Sequence, residues 1–227
     1  MFIFNGKLNW SKNAENECFT VVVPAGFALN DLISAHWQWT VDSKGRKQYN
    51  VSQLGVIDKV FQTPQEYRIN FSFSYYTFDA VVAHDFSSLT VTMRNPSGAS
   101  NRPTVLAKQF ADASRVSPTG VYTGKLNWFR FAVNEMITVV IPAGISDGAP
   151  CSLFYQWTVD SKGNVKANSC QKGTLSSVRK SGNSVTGTLK GSYYTYEITI
   201  SNGTQGTIVI SNPAGESTSN SVVRFNC

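Results

Sequence analysis

Two histidines, four cysteines and fourteen acidic side chains are the groups in this 227-residue chain that could carry chemistry. The chain repeats itself at an offset of 118, and that offset tests each group. His36 falls opposite Phe154, and His84 falls in a loop whose counterpart, Ser201–Gly206, is dissimilar. Neither histidine is shared by the two copies, so a duplicated His-dependent hydrolase is excluded. Nor does either neighbourhood carry nucleophile-and-base or metal-ligand spacing. No metal and no cofactor is expected.

A glycosidase needs two carboxyl groups facing each other across a groove. The acids present in both copies are Glu17 and Glu135, Asp42 and Asp160, and the Asp79/Glu197 position. Asp42 and Asp160 open turns, which explains them. Glu17 and Glu135 precede strands and read as solvated. The sequence therefore points away from an enzyme.

Binding chemistry is richer. Alternation along the strands puts Leu8 and Trp10 inward, and Lys7 and Asn9 outward. It sends Trp39 and Val41 one way, and Gln38, Thr40 and Asp42 the other. Tyr76 and Phe78 go inward; Tyr75, Thr77 and Asp79 go outward. The second copy repeats the outward set with Lys125, Asn127, Gln156, Tyr193, Thr195 and Glu197. Amides, hydroxyls and a carboxylate answer sugar hydroxyls in donor–acceptor pairs, and an aromatic face covers the C–H patch of a pyranose. The same positions also suit an ordinary solvent-facing strand surface.

These residues sit in repeated blocks. Gly6-Lys7-Leu8-Asn9-Trp10 returns as Gly124-Lys125-Leu126-Asn127-Trp128. VVPAG at Val22–Gly26 returns as VIPAG at Val140–Gly144, and QWTVDSKG at Gln38–Gly45 returns unchanged at Gln156–Gly163. SYYTF from Ser74 returns as SYYTY from Ser192, and the Asn95-Pro96-Ser97-Gly98 turn matches Asn212-Pro213-Ala214-Gly215. Period-two strands between Asx- and Gly-containing turns predict an all-β fold of about eight strands per copy. The expected architecture is two tandem antiparallel β-sandwich domains, jelly-roll or immunoglobulin-like, over 1–112 and 119–227. Ala111–Pro118 reads as the linker, and Val105–Ala113 is the only modest helix candidate.

Composition bounds the partners. Hydrophobic residues at 41% and charged residues at 15% describe a globular protein. Residues 1–110 hold 10 basic and 8 acidic groups, a balance of +2, and residues 119–227 hold 9 and 5, a balance of +4. Those charges are scattered singly, without the basic stripe of a nucleic-acid binder. No apolar window is long enough for a membrane span. The first repeat starts at about Phe2, so the expectation is a leaderless chain or one whose leader was removed.

No cysteine is shared by the copies, and free thiols packed as small hydrophobes are the leading expectation. A Cys151–Cys170 bridge across the hairpin around Asp160–Gly163 is the alternative. Two weak sites on one chain gain avidity, as lectins, hemagglutinins and toxin-receptor modules do. The expected function is thus non-enzymatic, multivalent glycan binding. A membrane-active β toxin, with a membrane surface as partner, and a structural protein are the alternatives.

Overall fold

The computed structural model describes residues 1–23, 27–111 and 120–225. Pro24–Gly26 of the repeated VVPAG block, the linker over 112–118 and Cys227 lie outside the described residues. The chain divides into two compact units, Met1–Pro118 and Thr119–Cys227. Among the described residues every strand pairing is antiparallel.

The first unit contains β1 (Phe2–Trp10), β2 (Ala14–Val23), β3 (Leu32–Val41), β4 (Lys47–Gln62), β5 (Glu66–Ser72), β6 (Thr77–Ala83), β7 (Ser88–Arg94) and β8 (Thr104–Ala111). Each strand pairs with the next, and β8 returns to β1, closing a barrel. Sequence alternation predicts a sandwich equally well, because inward and outward residues alternate in both architectures. The difference lies in the seam between β1 and β8, strands about a hundred residues apart. At that seam a Cβ on Gly6 would stand 2.7 Å from the carbonyl oxygen of Val105. Only glycine permits this approach, which is why Gly6 opens a repeated block. Of the modest helical pattern at Val105–Ala113, the part up to Ala111 is overridden by the β8 pairings with β1 and β7, and the last two residues lie outside the described ones.

The second unit contains β9 (Val121–Trp128), β10 (Ala132–Val140), β11 (Pro150–Val159), β12 (Val165–Thr174), β13 (Ser176–Ser181), β14 (Ser184–Lys190), β15 (Thr195–Ser201), β16 (Gln205–Ser211) and β17 (Ser217–Arg224). Its nine strands run in the order β12-β11-β10-β9-β17-β16-β15-β14-β13. The two end strands, β12 and β13, are the halves of the counterpart of β4, interrupted at Leu175. At the β9–β17 seam a Cβ on Gly124 would meet the Ser221 carbonyl oxygen at 2.1 Å, repeating the role of Gly6.

Pairing registers match between the units. Leu8 faces Glu17 as Leu126 faces Glu135; Gln38 faces Asn50 as Gln156 faces Asn168; Phe78 faces Met93 as Tyr196 faces Ile210. Each unit has its own apolar core. In the first, Phe4, Phe19, Trp37, Phe71 and Phe78 are fully buried. In the second, Leu153, Tyr155, Tyr196 and Ile208 fill the equivalent space. Each such side chain contributes about 1.5–3 kcal/mol by leaving water.

Burial corrects one expectation, and register decides the cysteines in favour of free thiols over the alternative bridge. Glu17 and Glu135 are fully buried, not solvated. Thr40 Oγ1 donates to Glu17, Thr158 Oγ1 donates to Glu135 at 2.7 Å, and Lys166 Nζ stands 3.3 Å from Glu135. A buried carboxylate requires such donors. The Asp160–Gly163 hairpin does form, but Cys151 faces Gly173 and Cys170 faces Phe154. The three-residue stagger puts the sulfurs on opposite faces of the sheet, and both cysteines are free thiols. Burial raises the Cys151 thiol and pushes the Cys170 thiol up to about 11, so neither is a ready nucleophile at neutral pH.

Candidate binding clefts

In an up-and-down antiparallel sheet, alternate hairpins emerge at the same end. The β1–β2, β3–β4, β5–β6 and β7–β8 connections therefore cluster at one end of the first barrel. Between them lies a cleft of about 440 Å³. The corresponding connections of the second unit surround a cleft of about 520 Å³. Barrel mouths are recurrent ligand sites because loops ring a preformed concavity there.

The two clefts are built from the same positions. Trp10, Trp39, Tyr75 and Tyr76 line the first; Trp128, Trp157, Tyr193 and Tyr194 line the second. Trp10 and Trp128 pack edge-on against the inner tyrosine, and Trp39 and Trp157 pack at a tilt. Trp10 and Trp39 lie 5.9 Å and 6.0 Å from the Tyr76 ring, and Trp128 and Trp157 lie 5.1 Å and 5.7 Å from Tyr194. The outer tyrosine stands perpendicular to the inner one, at 4.8 Å for Tyr75–Tyr76 and 4.9 Å for Tyr193–Tyr194. Tyr75 is 53% exposed and Tyr193 56%, each offering a ring face to solvent. Burial raises the Tyr76 and Tyr194 hydroxyls above their ordinary range, so both stay protonated donors.

Two turns supply the polar rim. Asp42 Oδ1 accepts from the amides of Lys44 and Arg46, and the Gly45 amide, at φ +78°, donates to the Asp42 carbonyl. Asp160 repeats this with Lys162, Asn164 and Gly163. Glycine closes both turns because the position requires positive φ. Ser43 and Ser161 stand at the turn tips beside the clefts. Across from them, Asn95 Oδ1 accepts the Ala99 amide and Asn212 Oδ1 accepts the Glu216 amide.

Burial would raise the Asp42 carboxyl, but hydrogen bonds from Arg46 and Lys44 hold it below the usual carboxylate range. Asp160 is held low by the side chain and amide of Asn164. Both are ionised acceptors at neutral pH.

The residues expected from sequence divide. Tyr75 and Tyr193 are in the clefts. Thr77, Asp79, Thr195 and Glu197 do face outward, but along the strands and away from the clefts. Asp79 pairs with Arg94 at 2.8 Å and accepts from Asn70; Glu197 pairs with Arg179 at 2.7 Å. Gln38 and Gln156 are fully buried, which corrects their expected solvent-facing placement. Their amides donate across the hairpin to Asn50 Oδ1 at 2.8 Å and Asn168 Oδ1 at 2.7 Å.

Asn9 and Asn127 brace a bulge: their Oδ1 atoms accept the amides of Asn16 and Asn134, both at positive φ. Lys7 and Asn9 line a separate groove beside Arg102 where β1 and β8 diverge; Lys125 and Asn127 are exposed and line neither cleft.

Trp10, Trp39 and Trp128 are nearly buried, and Trp157 is partly buried against the second core. Their remaining exposed edges form the cleft floor. The sequence signal was present in the repeated Trp, Asx-turn and Tyr-Tyr blocks; what was missing was that they meet at one barrel end.

His36 is fully buried between hydroxyls, with Nε2 3.0 Å from Ser34 Oγ and Nδ1 3.0 Å from Ser52 Oγ. Desolvation pushes its pKa down to about 3. Among the described residues no group of three His, Cys, Asp or Glu side chains is arranged to hold a metal ion. No family model matches the sequence, and no curated protein matches it.

Proposed function

We propose that this chain is a non-enzymatic, lectin-like protein with two related carbohydrate sites, one in the cleft of each unit. The observation that carries this reading is the recurrence, at equivalent positions, of two Trp edges, a Tyr pair, an Asp-Ser turn and an Asn turn around one concavity. An exposed tyrosine face suits the C–H patch of a pyranose, and the adjacent carboxylate, amide and hydroxyl suit its hydroxyls. Two such sites in one chain raise avidity by about 10²–10⁴ on a multivalent surface.

The carboxylates favour binding over hydrolysis. The first cleft is lined by one acid, Asp42, where a glycosidase requires two. The second holds Asp160 and Glu216, but hydrogen bonds keep Asp160 ionised and occupy both its oxygens. A general acid needs the opposite shift.

A glycan array probed with the intact chain tests the reading. Binding to a defined set of glycans, lost on combining Tyr75→Ala with Tyr193→Ala in a folded protein, is the expected result. An array with no retained glycans overturns it.

A second reading, a membrane surface as partner, is favoured by one patch of the first unit. Leu29 and Phe61, 58% and 65% exposed, adjoin Val60, Lys59 and Arg68. Apolar side chains beside cations suit an anionic lipid interface. Dye release from anionic vesicles that Phe61→Ser suppresses would support it; intact vesicles with bound protein on glycan-bearing ones would favour the first reading.

A further inference from the structure

The clefts share a floor and two rim turns but differ in the charge of the rim, and we infer that they take sugars of different charge. The first accepts a carboxylated saccharide through Arg46, whereas the second accepts neutral or amino saccharides and rejects carboxylated ones. This inference rests on the carbohydrate reading of the clefts.

Arg46 lies in the first cleft with its guanidinium carbon 3.5 Å from the Tyr49 ring centroid. Its Nε donates to Asp42 Oδ2 at 2.7 Å. Ring and carboxylate together fix the guanidinium, yet its side chain remains 49% exposed. An Arg held in place loses little rotamer freedom on binding, and its planar fork matches a carboxylate. The Asp42 contact uses Nε, one of five donors in that fork.

At the equivalent position of the second unit stands Asn164. It makes the same turn contact, Nδ2 donating to Asp160 Oδ2 at 2.8 Å, without bringing charge. Ala167 replaces the Tyr49 ring. On the opposite rim Glu216 replaces Ala99, and its Oε2 accepts from Asn212 Nδ2 at 2.7 Å.

The consequence is electrostatic. Charged groups lining the first cleft are Asp42 and Arg46, a formal sum of zero; those lining the second are Asp160 and Glu216, a sum of −2. A sugar carboxylate gains a charge-assisted donor in the first and meets two like charges in the second. An ammonium sugar meets the reverse. Because Asn164 preserves the turn, replacement of Arg at this position alters charge and leaves the local scaffold intact.

A glycan array carrying neutral, amino and carboxylated saccharides tests this with single-cleft proteins. Tyr193→Ala, with the first cleft intact, is expected to keep the carboxylated probes. Adding Arg46→Asn should weaken those probes by about tenfold or more, the scale of a charge-assisted hydrogen bond. Tyr75→Ala, with the second cleft intact, should keep neutral and amino probes alone.

Identical probe sets for the two single-cleft proteins would overturn the inference and leave the carbohydrate reading standing. An intact chain that binds no glycan removes both. Should either tyrosine variant fail to fold, Arg46→Asn in the otherwise unaltered chain decides. Each unit already tolerates its own version of this turn, and carboxylated probes that survive the change defeat the proposal.

Discussion

The hydroxyls of Tyr155 and Tyr196 meet at 2.7 Å in the buried core of the second unit. In the first unit the same two positions are Trp37 and Phe78, whose rings lie 6.2 Å apart without any hydroxyl. One fold thus accommodates a polar bridge and an apolar contact at equivalent points. Burial raises the Tyr155 hydroxyl, and the polar side chains of Ser169 and Gln171 beside it act in the opposite direction.

From that asymmetry, Tyr196→Phe should cost about 1 kcal/mol, because the polar Ser169 and Gln171 side chains remain beside the Tyr155 hydroxyl. Tyr155→Phe removes a hydrogen bond from a fully buried hydroxyl and should cost more, about 1–3 kcal/mol. The double variant should be more stable than the sum of the single losses implies. Urea unfolding of the four proteins gives the coupling directly, and strict additivity would show that the two hydroxyls do not act as a pair.

Much of the fold was legible because the duplication supplied an internal control. The register, the two turn types and the inward placement of Phe78 and Tyr196 follow from period-two patterning and Asx-Gly chemistry. Barrel closure did not follow, since the β1–β8 seam joins segments that local patterning cannot relate. Gln38 and Gln156 were misread for a related reason. Alternation assigns a side chain to a face of its strand but does not say whether that face meets water. On β2 and β3 both faces are buried: Phe19 and Trp37 on one, Thr20, Ser34, His36 and Gln38 on the other. The clefts were half legible. Tyr75 and Tyr193 stood out as outward aromatics, whereas Asp42 and Asn95 were accounted for by their turns and their convergence with Trp10 required the tertiary fold.

The turn carboxylates make a separable prediction. Asp160→Ala removes acceptors for the amides of Lys162 and Asn164 and for the Asn164 side chain. The turn is exposed, so water replaces part of what is lost, and the expected cost is about 1–2 kcal/mol. Gly163→Ala forces an L-residue into φ +82° and should cost about 1 kcal/mol. Thermal midpoints measured by circular dichroism check both; a gain in stability from either would mean the turn is not held as described.

The two tyrosines of each pair should respond oppositely. Tyr75→Ala removes an exposed ring, so stability should stay within about 0.5 kcal/mol while the first cleft loses about 1–2 kcal/mol of binding. Tyr76→Ala opens a gap among Trp10, Trp37 and Trp39, which it touches edge-on or at a tilt. Because Tyr76 is only partly buried, its loss should cost about 2–4 kcal/mol, toward the lower end of core aromatic truncations. Denaturation midpoints paired with glycan titrations distinguish them. Equal destabilisation by both changes would place Tyr75 in the core and remove the stacking surface from the proposed site.

His36 ties stability to pH. Its folded-state pKa lies near 3, well below the ordinary 6.5, because burial disfavours the imidazolium. Above pH 6.5 the ring is neutral in both folded and unfolded chains, and the group adds no pH dependence. As the pH falls below 6.5 the unfolded chain takes up a proton that the folded chain refuses, so folding weakens. The slope should approach about 1.4 kcal/mol per pH unit and persist until the pH nears 3. His36→Phe, the residue type that the second copy carries as Phe154, removes the titrating group. It also strips hydrogen bonds from Ser34 and Ser52, so overall stability is expected to fall. The diagnostic quantity is the slope between pH 6.5 and 4.5, above the range where most carboxylates titrate. Denaturant unfolding across that interval should show the parent losing stability and the variant nearly flat. Parallel slopes would mean that His36 becomes protonated in the folded protein, and that its enclosure between the two serines is looser than the 3.0 Å contacts indicate.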